Sequence, residues 1–297
     1  MTTLGIVGAG AVGQTLATAI VSAGLAQRLL VTSRTQSQAQ ALADDLADLA
    51  ASTSSPTTVT AAALPDLLDC QAVVIAVRAR FTNTASRNVR MGGAAANAPV
   101  VRILAAALRG HSGTVIMVTN PVDLLSRLFA EFSGCARVFG IGSNLDTARY
   151  RLTLARLLNV PKEAVRGHVI GEHGDGAVIC ASTTTVNGHP VHVPLKAVRE
   201  ELTARPGRIS SGIGRTRSGP AGAVLSTLRL ALGHHDGTTE LTTPHNGGWC
   251  GIPLRFTAGQ PVPCLPTLDS TEAQLLHTAR TKLHSAYTEL VYPEGAS

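Results

Sequence analysis

The string Gly8-Ala9-Gly10-Ala11-Val12-Gly13 has the residue types and spacing of a turn that lays backbone amides against a pyrophosphate. It follows Leu4 to Val7, which reads as a short buried strand, and it precedes an apolar segment of helical length ending near Gly24. In that setting Gly8 permits the tight turn, Gly10 lets the backbone approach the diphosphate, and Gly13 lets helix and strand pack closely. The amides around Gly10, Ala11 and Val12 then face the anion from a helix N-terminus. The next strand, Leu29 to Thr32, delivers the residues that read the adenosine ribose. An NAD site places a carboxylate about 20 residues after the fingerprint, whereas this chain has Ser33, Arg34 and Thr35 there. Two hydroxyls and a guanidinium suit a 2′-phosphate, so NADP(H) is the expected cofactor in preference to NAD(H).

Four further clusters carry groups for acid–base and anion chemistry. Thr119-Asn120-Pro121-Val122 closes one predicted strand, and Ser143-Asn144-Leu145-Asp146-Thr147-Ala148-Arg149 follows the next. Ile170-Gly171-Glu172-His173-Gly174-Asp175 puts His173 27 residues after Asp146, and an Arg-studded loop, Arg78 to Arg90, precedes all three. Together with the glycine turn, these strings resemble the lactate/malate dehydrogenase family and its 2-hydroxyacid dehydrogenase relatives. The resemblance is strong from residue 4 to about 193 and traceable to the C-terminus.

The resemblance implies an α/β chain. A Rossmann-type, doubly wound parallel sheet occupies residues 1–143 as the dinucleotide-binding domain, and an α+β catalytic domain occupies 144–297. It also implies reversible hydride transfer between a 2-oxo acid and a 2-hydroxy acid. That reaction needs a proton at the carbonyl oxygen, and an imidazole titrating near neutral pH can give and take it. His173 is the candidate. At the family positions, Asp146 fixes its tautomer and stabilises the imidazolium, Arg149 clamps the substrate carboxylate in bidentate fashion, and Asn120 hydrogen-bonds substrate or nicotinamide. Arg149 lies three residues after Asp146, on the same helical face.

The family's carbonyl-polarising arginine sits seven residues before an asparagine that opens a helix. Asn97-Ala98-Pro99-Val100-Val101 fits that helix and points back to Arg90, whereas counting forward without gaps from the strand at Val73 gives Arg87. Arg90 is preferred, because an insertion is accommodated more easily in a loop than in a helix. Gly92 and Gly93 leave the start of that helix open. The family's Pro-Gly turn is absent. The second arginine of malate enzymes is also missing: six residues before Arg90 stands Thr84, and six before Arg87 stands Phe81. Malate is therefore not the expected substrate. Thr216 aligns with a pocket threonine, and Arg217 beside it faces either a second anionic group or solvent. Closure of residues 78–95 over the substrate would exclude water. The family commonly forms homodimers or homotetramers.

Composition narrows the remaining classes. Hydrophobic residues make up 44% of the 297 and charged residues 15%, enough to bury a core and unlike a disordered chain. The net charge is +6, but only three of the 25 basic residues are Lys, and the arginines are dispersed with few aromatics between them. That pattern favours small anionic ligands over nucleic acid. Five scattered cysteines without a Cys-x-x-Cys pair exclude a disulfide scaffold and fit a reducing, cytoplasmic setting. No apolar run reaches the ~20 residues of a membrane span, and the apolar opening lacks the positive charge of a secretory leader. His234-His235-Asp236 with His245 reads as a solvated group rather than a metal centre, so no metal is expected.

The remaining elements follow from pattern. Residues 36–51 are Ala-rich and helical, Ser52 to Thr60 reads as a loop, and Val73–Val77, Val115–Val118 and Val138–Ile141 read as buried parallel strands. Asn187-Gly188 turns a hairpin between Thr183–Val186 and Pro190–Val193. The basic, Gly/Ser-rich stretch Arg205 to Pro220 reads as mobile or ligand-responsive. Leu276, Ala279, Leu283, Tyr287 and Leu290 mark a docked C-terminal helix. Two rival readings are a reductase of an unusual carbonyl or imine in specialised biosynthesis, motivated by the altered loop, and a cofactor-sensing protein without catalysis.

Overall fold

Aliphatic runs just long enough for strands alternate with helical stretches through the first half, and a computed structural model describing residues 2–82 and 89–292 folds accordingly. β1 (Thr3–Val7) leads into α1 (Ala11–Ser22), β2 (Arg28–Thr32) into α2 (Gln36–Thr53), and β3 (Thr58–Ala61) into β4 (Ala72–Ile75). Then come α3 (Ala94–Ala107), β5 (Thr114–Met117), α4 (Val122–Ser133), β6 (Val138–Ile141) and α5 (Ser143–Leu158). Short strands follow: β7 (Val165–Arg166), β8 (Val169–Gly171), β9 (Ala177–Ile179), β10 (Thr185–Val186) and β11 (His189–Pro190). The chain continues through α6 (Leu195–Ile213), α7 (Ser218–Ala231), β12 (Gly237–His245), β13 (Gly248–Thr257), β14 (Gln260–Pro263) and α8 (Ser270–Val291).

The first six strands pair in parallel in the order β3-β2-β1-β4-β5-β6. This is a Rossmann-type order, and its reversal between β1 and β4 opens a crevice at the carboxyl ends of the strands. Every residue of β4, β5 and β6 is buried, as helices on both faces require. The parallel part ends at β6, but the sheet continues beyond it. β12 adds antiparallel to β6 through Leu241↔Ile141 and Thr242↔Gly140, and β13, β8 and β9 extend the same sheet, with β14 on β13. This continuity brings the segment carrying His173 beside the start of α4. A second apolar cluster of Tyr150, Leu154, Val165, Val169, Ile179, Val193 and Val198 packs beneath α5. No helix among the described residues is long and apolar enough to cross a membrane.

Two expectations from the sequence change. The Ser/Thr-rich stretch 52–60 is not all loop: α2 runs to Thr53, and β3 pairs with β2. Val59 is the only fully buried residue of this edge strand, so its alternation is too short to show in the sequence. Residues 205–213 lie within α6, which contains Pro206. Glu201 of the same helix meets Arg205 at 3.3 Å, Arg208 at 2.7 Å and Arg156 of α5 at 3.6 Å. The hairpin turn is at Asn187-Gly188, both in the left-handed region (φ 50° and 81°), but its strands span only two residues each. The C-terminal helix buries Leu276, Ala279, Leu283 and Tyr287, as their spacing requires.

Candidate active site

Glycine shapes the floor of the crevice. A Cβ on Gly13 would lie 1.8 Å from the Gly8 carbonyl oxygen, so α1 can approach β1 only without a side chain there. Gly8 has φ 118° and its ideal Cβ would meet the Ala76 carbonyl at 2.6 Å, whereas nothing lies within 4 Å of a Cβ on Gly10. Gly10 caps α1 without a side-chain hydrogen bond, and the first turn has no acidic residue. Open space above free helix-end amides fits a diphosphate. Gly10, Ala11 and Val12 line a cleft of about 460 Å³, while Gly8 and Gly13 support it from below. At the end of β2, the Thr35 hydroxyl accepts from the Gln38 amide as the cap of α2, and the Ser33 hydroxyl donates to Gln38 at 3.2 Å. Both hydroxyls thus have local partners. Arg34 is exposed and holds only a long 3.4 Å bond to the Arg78 carbonyl.

The acid–base groups meet at the opposite end of the cleft. Asp146 lies in the first turn of α5, but its carboxylate turns away from capping and meets His173 Nδ1 at 2.6 Å. Arg149 Nη1 stands 3.5 Å from its other oxygen. All three are buried. Burial alone would raise Asp146, yet the charge and hydrogen bond of His173 and the Arg90 and Arg149 guanidinia outweigh it and hold the carboxyl below its ordinary range. An ionised carboxylate only accepts, so Nδ1 carries the hydrogen and Nε2 is left for the cleft, which His173 lines. Gly142 makes room for the ring, since a Cβ there would sit 2.4 Å from His173 Cγ. Asn144 secures the start of α5, accepting from the Gly142 and Leu145 amides and donating to Ala223 and Thr227 of α7.

Two buried acids behind His173 escaped the sequence reading. Glu172 turns inward to Lys282 of α8 at 2.7 Å and accepts from the Gly176 amide; Cβ atoms on Gly174 or Gly176 would collide with it. Asp123 of α4 accepts the His173 backbone N–H at 2.8 Å and the Thr242 hydroxyl from β12. Burial pushes Asp123 from 3.8 up to about 6, against these hydrogen bonds, which pull it down. Between those values the folded chain keeps a proton that the unfolded chain has released. The stability this group contributes is complete below the ordinary value and is lost as pH rises through about 6, on the order of 3 kcal/mol in all. Asp123→Asn keeps the shape and one acceptor oxygen. It is expected to flatten the fall in stability between about pH 4 and pH 6 in denaturant titrations; an unchanged slope would assign that fall to other groups.

The rest of the cleft is built from loops at the sheet's carboxyl edge. Asn120, Thr119, Phe81, Val89 and Arg90 line it. Arg90 caps a short helical turn, Met91–Gly93, that precedes α3. Arg87 and Thr84 lie outside the described residues, as does the middle of the 78–95 segment expected to close. Asn97, the reference point for Arg90, is structural: it accepts from the Ala79 amide at 2.8 Å and donates to the Asn120 carbonyl at 2.9 Å, tying two cleft loops together. Thr216 and the exposed Arg215 line the cleft, whereas Arg217, exposed at the start of α7, does not. Among the described residues, no group of three or more His, Cys, Asp or Glu is placed to hold a metal.

Comparison with known proteins agrees with this architecture. A profile of the lactate/malate dehydrogenase NAD binding domain matches residues 2–140, and one of the lactate/malate dehydrogenase alpha/beta C-terminal domain matches residues 143–204. L-lactate dehydrogenase 2 of Lactococcus lactis subsp. lactis is 33% identical over 190 residues, covering 63% of this chain and 60% of that protein. The match thus spans about three fifths of that relative's length. L-lactate dehydrogenase of Staphylococcus epidermidis is 28% identical across 96% of both chains. Among solved structures, the lactate dehydrogenase MGS-M5 from a Medee basin deep-sea metagenome library superposes with a TM-score of 0.90 over 98% of this chain and 99% of that chain at 22% identity. Malate dehydrogenase from Plasmodium falciparum gives 0.89 over 98% of this chain and 99% of that chain at 20% identity. At such identities the likeness is one of fold.

Proposed function

The chain belongs to the lactate/malate dehydrogenase family, and from that premise we propose that it is an NADP(H)-dependent oxidoreductase interconverting a 2-oxo acid and a 2-hydroxy acid. Residues 1–143 hold the cofactor and residues 144–297 supply most of the substrate site. When bound, the nicotinamide ring supplies or accepts the hydride. In the reducing direction His173 Nε2 gives a proton to the carbonyl oxygen while Asp146 holds Nδ1 and stabilises the imidazolium before transfer. Arg90 polarises the carbonyl, Arg149 anchors the carboxylate, and Asn120 and Thr216 position substrate or nicotinamide.

The observation that carries this reading is the meeting of His173, Asp146 and Arg149 at one end of a cleft whose other end is the Gly10 turn. It also argues against a cofactor sensor without catalysis, which has no use for a buried acid–base pair. The direct test follows NADPH and NADH oxidation by absorbance across a panel of 2-oxo acids. Turnover supports the reading; measurable NADPH binding with no turnover on any acid would favour the sensor. Turnover of imines or of carbonyls without a carboxylate would favour the specialised reductase.

The preference for NADP(H) rests on the end of β2, where no carboxylate stands and Arg34 is exposed. With the hydroxyls of Ser33 and Thr35 engaged locally, the Arg34 guanidinium and the open amides of α2 are the groups left for a 2′-phosphate. Ser33→Asp with Arg34→Ile is expected to shift the NADPH-to-NADH ratio of kcat/KM by about 10- to 100-fold toward NADH, the worth of one charge-assisted hydrogen bond. An unaltered ratio would remove the phosphate argument. The five free cysteines support work in a reducing compartment such as the cytoplasm. A homodimer or homotetramer is part of the same proposal, to be measured by light scattering.

A further inference from the structure

The cleft is lined by more arginines than the carbonyl and carboxylate of a simple 2-oxo acid employ. Arg78, Arg90, Arg149 and Arg215 line it, and none of the described lining residues is an Asp or Glu. Three of these guanidinia are already engaged. Arg78 lies 4.6 Å over the Phe81 ring, on the side where Arg34 meets its carbonyl. Arg90 and Arg149 both act on the Asp146 carboxyl. Arg215 differs: it stands on the connection between α6 and α7, beside Thr216, with Ser210 and Pro206 of α6 as neighbours in the wall. On α6, Arg205 and Arg208 pair with Glu201 at 3.3 Å and 2.7 Å. No acidic side chain among the described residues pairs with Arg215.

We propose that Arg215 makes this cleft selective for 2-oxo acids bearing a second anionic group, a carboxylate or a phosphonate. The inference rests on the reduction proposed above and assigns its substrate class. Arg149 and Arg90 serve the end of the substrate that every 2-oxo acid shares, so neither distinguishes one tail from another. Among the described residues after β4, Phe81 and Val89 give the cleft apolar surface and Arg78 is stacked on the Phe81 ring. Arg215, on the connection between α6 and α7, is the lining guanidinium with no such engagement among the described residues. A planar, permanently charged fork matches carboxylate and phosphonate oxygens alike.

The test is steady-state kinetics with NADPH on the wild-type protein, Arg215→Leu and Arg215→Lys. Pyruvate and 2-oxobutyrate serve as monoanions; oxaloacetate, 2-oxoglutarate and 3-phosphonopyruvate carry a second charge. The wild type is expected to favour at least one dianion over both monoanions by about 10-fold or more in kcat/KM. Arg215→Leu is expected to lower that dianion's kcat/KM by about 10- to 100-fold, chiefly through KM, with Arg215→Lys intermediate. Rates on monoanions and NADPH affinity, read by fluorescence titration, should stay as they were. The better of dicarboxylate and phosphonate identifies the tail. An equal loss on all acids, weakened NADPH binding, or a wild-type preference for monoanions overturns the assignment while leaving 2-oxo acid reduction standing. No turnover on any acid removes both.

Discussion

His173→Ala is expected to lower kcat for 2-oxo acid reduction by between about 10²- and 10⁴-fold, the usual worth of a positioned general acid. NADPH affinity should be unchanged, because the ring stands away from the Gly10 turn and its removal disturbs no cofactor-binding amide. The loss should appear in kcat and kcat/KM together, as it does when an interaction made only in the transition state is removed. The cavity left by the imidazole lies beside Asp146, whose carboxylate would then lose its strongest attractive partner. A variant that retains near wild-type turnover would exclude His173 as the proton donor, whatever its position.

Arg149→Leu is the second large effect. Its guanidinium is buried and stands 3.5 Å from Asp146, so truncation removes the carboxylate anchor and one cation from a buried acid. Removing one member of such a charge pair costs about 2–5 kcal/mol, or roughly 30- to 5,000-fold in kcat/KM. Lysine should rescue only part of this, because a point charge cannot grip a carboxylate with two parallel hydrogen bonds. Wild-type KM for the 2-oxo acid in Arg149→Leu would place the carboxylate elsewhere, with Arg215 the next guanidinium to test.

The sequence reveals these residues unevenly, for physical reasons. The glycine turn and the strings around Asp146 and His173 are legible because each lies within one local element, and their chemistry demands particular side chains at fixed spacing. Arg90 required a choice between two counts; it lines the cleft just before a helical turn that Gly92 and Gly93 had obscured, while Arg87 lies outside the described residues. Asp123 was invisible because its role depends on β12 crossing to β6, which brings Thr242 to it from 119 residues away. Local periodicity does not encode that crossing. Glu172 sits inside the most recognisable string, yet its inward turn depends on Lys282 from the last helix. Arg215 and Arg217 are equivalent by composition. Only the geometry where α6 ends and α7 begins decides which one lines the cleft.

The central claim is that a single imidazole, held by an ionised carboxylate, exchanges the proton in both directions of the reaction. It is tested most directly by measuring kcat/KM against pH for reduction of the 2-oxo acid and for oxidation of the matching 2-hydroxy acid, using wild type and Asp146→Asn. Asp146 is held below the ordinary carboxylate range, so it stays charged across the neutral pH range in which an imidazole can exchange a proton. Reduction should fall as pH rises and oxidation should fall as pH drops, giving mirror-image profiles that Asp146→Asn displaces. Profiles that fall on the same side in both directions, or that Asp146→Asn leaves in place, would contradict the account.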